Sequence, residues 1–239
     1  MQPIKNKSIA VMQPYIFPYL GYFQLVNAVD EFVFYDDVNF IKRGWVNRNK
    51  ILINGKENLL SFPCIKPSQN KLINQINIDT SKKEYRKNLN SIAMAYKKSP
   101  YFENVYPIVE KVLKGSYNTI ADLNIASLVE VSKFLNLDTK FKTSSTQFPE
   151  TSHLGKSQRL KKITKLENAS TYINAIGGIA LYDKADFQNS GIDLYFLKPN
   201  LKPYKQFNQE FVPGLSIIDV LMFNNKNECI ELIKDYQLI

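Results

Sequence analysis

Three groups of residues have the types and spacing to do chemistry. The first is the run "MQPYIFPYLGYF", residues 12–23, in which Gln13, Tyr15, Tyr19 and Tyr22 stand among Pro14, Pro18 and Gly21. Tyrosine offers a flat ring for a base or sugar and a hydroxyl that both donates and accepts. Proline holds the backbone so that these groups need not be ordered on binding. The second is "YDDVNFIKRGWVNRNK", residues 35–50, where Asp36 and Asp37 precede Lys42, Arg43, Trp45, Asn47, Arg48 and Asn49. Carboxylates can orient a ribose, hold a cation or take a proton, and Asp37 is the candidate base. The cations, amides and lone tryptophan suit a phosphorylated, planar or sugar ligand. Lys is much commoner than Arg here, so two of only four arginines in this window point to fork-shaped recognition. The third is "TSSTQFPETSHLGKSQRL", residues 143–160, where His153, Lys156 and Arg159 gather at an expected helix start, a natural anion site. His153 is the only histidine and the second candidate for proton transfer. The "GKS" inside it is no P-loop, because Glu150 stands where that motif needs glycine. Asn174, Tyr182 and Asp183 are expected at strand ends, Asn174 as a further ligand contact.

Each group also has a plain structural reading. The aromatics can simply cover a sheet end, Asp36 can cap a turn, Arg43 can form a surface ion pair worth little, and a lone histidine is a weak catalytic signal. No metal site is expected, since His153 lacks companion histidines or cysteines. Cys64 and Cys229 fit no metal or redox spacing and read as free thiols of a reducing, cytoplasmic compartment.

The elements that must position these residues follow from pattern. "SIAVMQ" (8–13) reads as a buried strand, 19–29 as a helix and "EFVFYDDV" (31–38) as a second strand. That opening favours a parallel α/β sheet, and ligands then sit outside the carboxyl ends of its strands. Asn54–Gly55 marks a hairpin. Residues 81–137 carry a helical pattern broken near Ser99–Pro100 and Gly115–Ser116. "TKFKTSSTQF" returns to strand, a helix follows over 155–167, and "STYINAIGG" and "IDLYFLKP" read as strands. The last 25 residues should form two short helices, with Ser216 or Asp219 capping or anchoring. The expectation is one α/β domain over 1–239, Rossmann-like and mostly parallel, with 81–137 as a helical insertion and a helical C-terminal tail.

Composition narrows the partners. The formal charge of +9 invites a nucleic-acid reading, but the lysines are scattered and arginine is scarce, so the charge is read as drawing small anions instead. No apolar run reaches the roughly 18–20 residues of a membrane span, and the N-terminus lacks a signal peptide's pattern.

"MQPYIFPYLGYFQLVNAVDEFVFYDDVNFIKRGWVNRNKI", "YINAIGG", "LYDKADF", "GIDLYFL" and "FVPGLSIIDVLMFNN" together resemble the WbqC-like family nearly end to end. That resemblance implies a place in bacterial O-antigen, lipopolysaccharide or other surface-polysaccharide biosynthesis. It leads us to expect a transferase or amide-forming ligase acting on a nucleotide-linked amino sugar by acyl or aminoacyl transfer. The alternative is a non-catalytic nucleotide-sugar or glycan-assembly binding protein. The donor is left open between ATP with magnesium and an acyl thioester, as is homo-oligomerisation. A fainter likeness is to the nucleotidyltransferase opening, with Tyr19-Leu20-Gly21-Tyr22 at the H-x-G-H positions. Tyrosine replaces both imidazoles, so charge there would have to come from Lys42, Arg43, Lys156 or Arg159. On this reading Tyr15, Tyr19 and Tyr22 hold base or sugar, while Arg43, Arg48, Lys156 and Arg159 clamp phosphates.

Overall fold

In a computed structural model, the structure describes residues 6–207 and 210–239. The chain opens as β1 (Ser8–Met12), α1 (Leu20–Asn27) and β2 (Glu31–Phe34). A long crossover follows. It holds the hairpin β3 (Arg48–Ile53) and β4 (Lys56–Ser61), then α2 (Lys83–Tyr96), α3 (Phe102–Lys114) and α4 (Ile120–Leu135). The second half runs β5 (Lys140–Thr143), α5 (Ser144–Gln147), α6 (Lys156–Leu166), β6 (Thr171–Ala175), α7 (Lys184–Gln188), β7 (Asp193–Pro199), α8 (Ile217–Phe223), α9 (Lys226–Lys234) and β8 (Tyr236–Leu238).

The main sheet has the order β5-β2-β1-β6-β7-β8, parallel throughout except for β8. The chain builds outward from β1 through β2 to β5, then crosses back to build β6 and β7 on the other side. The reversal falls between β1 and β6, and in open α/β sheets that is where a crevice forms outside the carboxyl ends of the strands. This is a Rossmann-like α/β architecture.

Side-chain alternation along the strands separates two cores. Ala10, Phe32, Phe34, Ile173 and Leu197 face α1, α4, α8 and α9. Ile9, Val11, Val33, Tyr172, Leu194 and Phe196 face α6 and α7. The first core continues into α2 and α3 through Tyr85, Ile92, Tyr96 and Val109. The helices of the crossover thus thicken one side of the sheet only.

Local chemistry sets the boundaries. Asn54 and Gly55 both adopt positive φ, closing the β3–β4 hairpin as their dipeptide requires. A capping box between Thr119 and Asp122 starts α4, and Asn136 in the left-handed region ends it. Ser216 caps α8 through Ile218 N–H, and Asn225 with Glu228 boxes α9. Four expectations need correction. Strand β2 stops at Phe34, because Asp36 turns away to meet Ser144 and Ser145. For the same reason "TSSTQF" leaves the strand after Thr143 and coils into α5. Tyr182 and Asp183 do not end a strand; Asp183 caps α7 by accepting from Ala185 N–H at 3.0 Å. Residues 236–238 form an antiparallel edge strand where only helix was expected.

Candidate functional site

The tyrosine loop between β1 and α1 is a sealed piece of scaffold. Asn124 of α4 donates one amide nitrogen to two carbonyls, Pro14 at 2.9 Å and Val46 at 2.7 Å. Asn49 donates to Ile16 at 2.9 Å and to Phe17, whose carbonyl also takes the Ser216 hydroxyl at 2.7 Å. Phe17, in the left-handed region at φ 40°, donates its N–H to the Ser127 hydroxyl at 3.1 Å, and Ile217 N–H meets the Pro18 carbonyl at 2.8 Å. Backbone that belongs to no element must find partners elsewhere once buried, and here three distant segments supply them. Tyr22 is fully buried and donates to the Gln13 carbonyl at 2.8 Å; burial drives its phenol well above its ordinary range. Tyr15 packs 5.7 Å from Tyr22 and reaches Gln13 Oε1 at 3.4 Å. Tyr19 folds its ring over Gly21, where an added Cβ would lie 2.5 Å from that ring. Tyr22 belongs to the core on the α1 and α4 side, and Tyr15 and Tyr19 are half-buried against it.

On the other side of the sheet, Arg159 of α6 is almost wholly buried. Its guanidinium pairs with Asp37 at 2.5 Å, donates through Nε to Thr151 Oγ1 at 3.0 Å, and lies 4.8 Å from the Tyr35 ring centre. Burial works against the arginine's charge, but the contacts with Asp37 and Tyr35 together outweigh it and raise the pKa. Asp36 next door is saturated. Ser144 Oγ and Ser145 N–H serve one oxygen at 3.0 Å each, and Ser145 Oγ at 2.6 Å and Asn74 at 3.1 Å serve the other. Asp37 Oδ1 lies 2.5 Å from the same Ser144 Oγ, so the two carboxylates share that hydroxyl's single hydrogen. Thus the expected base is one half of a buried ion pair with the expected phosphate clamp. Neither Asp36 nor Asp37 has a vacant oxygen to serve as a ready magnesium ligand. Among the described residues there is no cluster of three or more His, Cys, Asp or Glu able to hold a metal ion.

Asn174 differs from all of these. It lies on β6 two residues after Tyr172, on the α6–α7 side, and only 7% of it is exposed. Its Oδ1 accepts from Ala175 N–H at 2.8 Å, yet among the described residues its Nδ2 has no acceptor. That nitrogen is also not among the polar atoms sealed from solvent without a partner. A buried amide normally finds partners for both ends, so a free donor held in place points outward to something else. Gly178 makes the fit possible: a Cβ there would lie 2.5 Å from Asn174 Nδ2 and 3.4 Å from the Tyr182 ring. Tyr182 and Tyr35 both pack on the second core. The Tyr182 phenol is raised by burial first and then by the nearby Tyr35 hydroxyl. Beside them a cavity of about 380 Å³ is lined by Ile179, Tyr182, Asp183, Lys184, Phe196 and Ile239. A second cavity, of about 780 Å³, opens at the opposite edge, among Ser8, Asp30 and Lys140. It lies at the amino ends of the parallel strands, opposite the end where open α/β sheets bind ligands.

The remaining expected residues are dispersed. His153 and Lys156 are exposed on the turn entering α6. Lys42, Arg43 and Trp45 are exposed at a loop tip whose root, Val46, adjoins Pro14. Arg48 does not reach for a ligand: it bonds the carbonyls of Arg43 and Gly44 in its own loop. Asn47 bonds the Phe62 carbonyl at 2.9 Å. Among the described residues, Tyr15, Tyr19 and Tyr22 share no hydrogen bond, ring contact or cation contact with Arg43 or Arg159. The expected shared pocket therefore divides across the sheet. Tyr35 was not singled out in the sequence, since nothing but its strand-end position marks it.

The fold is that of a Rossmann-like α/β protein whose strand order reverses between β1 and β6. The chain belongs to the WbqC-like protein family, whose model matches residues 13–231. It is 26% identical over 225 residues to the "Uncharacterized protein Rv1507c" of Mycobacterium tuberculosis (strain ATCC 25618 / H37Rv), covering 91% of this chain and 94% of that relative. No solved structure matches it.

Proposed function

We propose that the protein is an enzyme of surface-polysaccharide biosynthesis that transfers an acyl or aminoacyl group to a nucleotide-linked amino sugar. Its ligand sits at the carboxyl ends of β1, β2 and β6 on the α6–α7 side. The observation that carries this placement is the unpartnered Asn174 amide, held nine-tenths buried against Gly178 at the strand reversal. The Tyr182 ring lies against the same glycine, Tyr35 packs on the same core, and the buried Arg159 guanidinium lies 4.8 Å from the Tyr35 ring centre. Donors, a cation and flat rings suit an acceptor-rich, anionic, planar ligand such as a nucleotide. The neighbouring cavity has Ile179, Phe196 and Ile239 on its walls and so takes the less polar acyl portion. Asp37 acts as a positioning residue that fixes Arg159. His153, exposed on the α6 turn, is the remaining candidate to take the proton from the attacking amine. The carboxylates at the β2 tip are engaged by Asn74, Ser144, Ser145 and Arg159 and do not fit a magnesium ion.

A second reading, a binding protein without turnover, draws on the same saturation of Asp36 and Asp37. Incubation with nucleotide-linked amino sugars and either acyl thioesters, or ATP with amino acids, separates the two. A new amide detected by mass spectrometry supports transfer; tight binding with no product across the panel supports the binding protein.

A further inference from the structure

Two surface loops lie outside that crevice. Residues 40–47 and 62–72 are stitched together at both ends: Phe40 N–H meets the Lys71 carbonyl at 2.9 Å, and Phe62 N–H meets the Asn47 carbonyl at 2.8 Å. Between those seams Ile41, Trp45 and Ile65 are 48%, 46% and 47% exposed. The same two segments carry Lys42, Arg43, Lys66 and Lys71 and no acidic residue. All four cations are exposed. The first loop is braced from within. Gly44 N–H closes a turn onto the Ile41 carbonyl at 3.1 Å, Arg43 takes a positive φ of 60°, and the Arg48 guanidinium holds the Gly44 carbonyl at 3.1 Å and that of Arg43. A loop so fixed presents its apolar tips without folding them away, and little order is lost when they are covered.

We infer that these paired loops are a docking surface for an anionic bilayer, with Trp45, Ile41 and Ile65 entering the headgroup region and the four cations meeting lipid phosphates. Tryptophan and aliphatic side chains beside Lys and Arg are the pattern of interfacial contact, and among the described residues no helix is long and apolar enough to cross the membrane. Charge selects this occupant. A second copy docking through the same face would bring cations against cations, whereas an anionic surface complements them. The chain's overall charge of +9 adds long-range attraction in the same sense. This surface is independent of the proposed reaction.

Trp45 is the sole tryptophan, so its emission reports on the loop directly. The full chain is titrated with vesicles of phosphatidylglycerol and phosphatidylcholine in roughly equal parts, and with phosphatidylcholine alone. The expected result is a blue shift and co-sedimentation with the anionic vesicles only, both reversed by salt as screening shortens. Each cation removed should weaken binding about fivefold. Lys42→Glu with Arg43→Glu should therefore lose binding by far more than tenfold while circular dichroism stays unchanged. Ile41→Ser and Trp45→Ala, scored by sedimentation, should each weaken it several-fold. Absence of pelleting at low salt overturns the inference, as does pelleting without a Trp45 shift. So does an equal shift with a duplex oligonucleotide, with a free nucleotide sugar, or on raising protein concentration alone.

Discussion

The two sides of the central sheet treat their polar groups in opposite ways. On the α1–α4 side, the loop richest in aromatics has its carbonyls at Pro14, Ile16, Phe17 and Pro18 taken by Asn124, Asn49, Ser216 and Ile217. On the α6–α7 side, Asn174 is equally well buried but keeps a donor free, beside aromatic walls and a fixed guanidinium. The difference teaches that conspicuous chemistry in a sequence can be structural when partners saturate it. What marks a site is chemistry held rigid and left unfinished.

The largest expected effect breaks the second side. Arg159→Ala strands Asp37 in a buried position and should cost about 3–5 kcal/mol in urea unfolding. Arg159→Met combined with Asp37→Asn should recover most of that loss; no recovery would mean that the pair is not what holds α6 to the β2 tip. On the first side, Asn124→Ala leaves the buried Pro14 and Val46 carbonyls without a donor and should cost roughly 2–4 kcal/mol. Tyr22→Phe removes a single bond to Gln13 and should cost about 1 kcal/mol.

A charged network at the amino edge provides a purely structural contrast. Glu167 is hydrogen-bonded by Lys7 and Lys142 at 3.0 Å and 2.5 Å, and Glu31 shares both lysines. Burial alone would raise the Glu167 pKa, but its contacts with Lys142, Glu31 and Lys7 together outweigh it and hold it down to about 2, against an ordinary 4.5. A carboxyl depressed on folding stabilises above its unfolded value and loses that stabilisation as pH falls towards its folded one. Unfolding free energy should therefore decline between pH 4.5 and about 2, with a shallower slope in Glu167→Gln.

Much of the fold was legible because its cues are local. The first two strands, the Asn54–Gly55 hairpin, the breaks at Ser99–Pro100 and Gly115, and the helix from 156 follow from alternation, turn chemistry and periodicity. The short features were not, because tertiary partners made them. Asp36 pulled "TSSTQF" out of the sheet, and β8 forms only by pairing with β7. The proposed site overlaps the expected one only in part, for a related reason. Asn174 and Arg159 figure in both, and both readings use the carboxyl ends of the strands. Which face of the sheet each residue takes depends on register and helix placement, and residue types alone do not encode it. Hence Tyr15, Tyr19 and Tyr22 were grouped with Arg159, although the sheet lies between them.

The most direct test compares one residue from each side. Calorimetric titration with a nucleoside-diphosphate amino sugar should show Asn174→Ala weakening affinity at least tenfold, with unfolding shifted by less than about 1 kcal/mol. Tyr19→Phe should bind within about twofold of the unaltered chain. The reverse order, with Tyr19→Phe impaired and Asn174→Ala intact, would place the ligand on the tyrosine-loop side and contradict the assignment of the α6–α7 crevice.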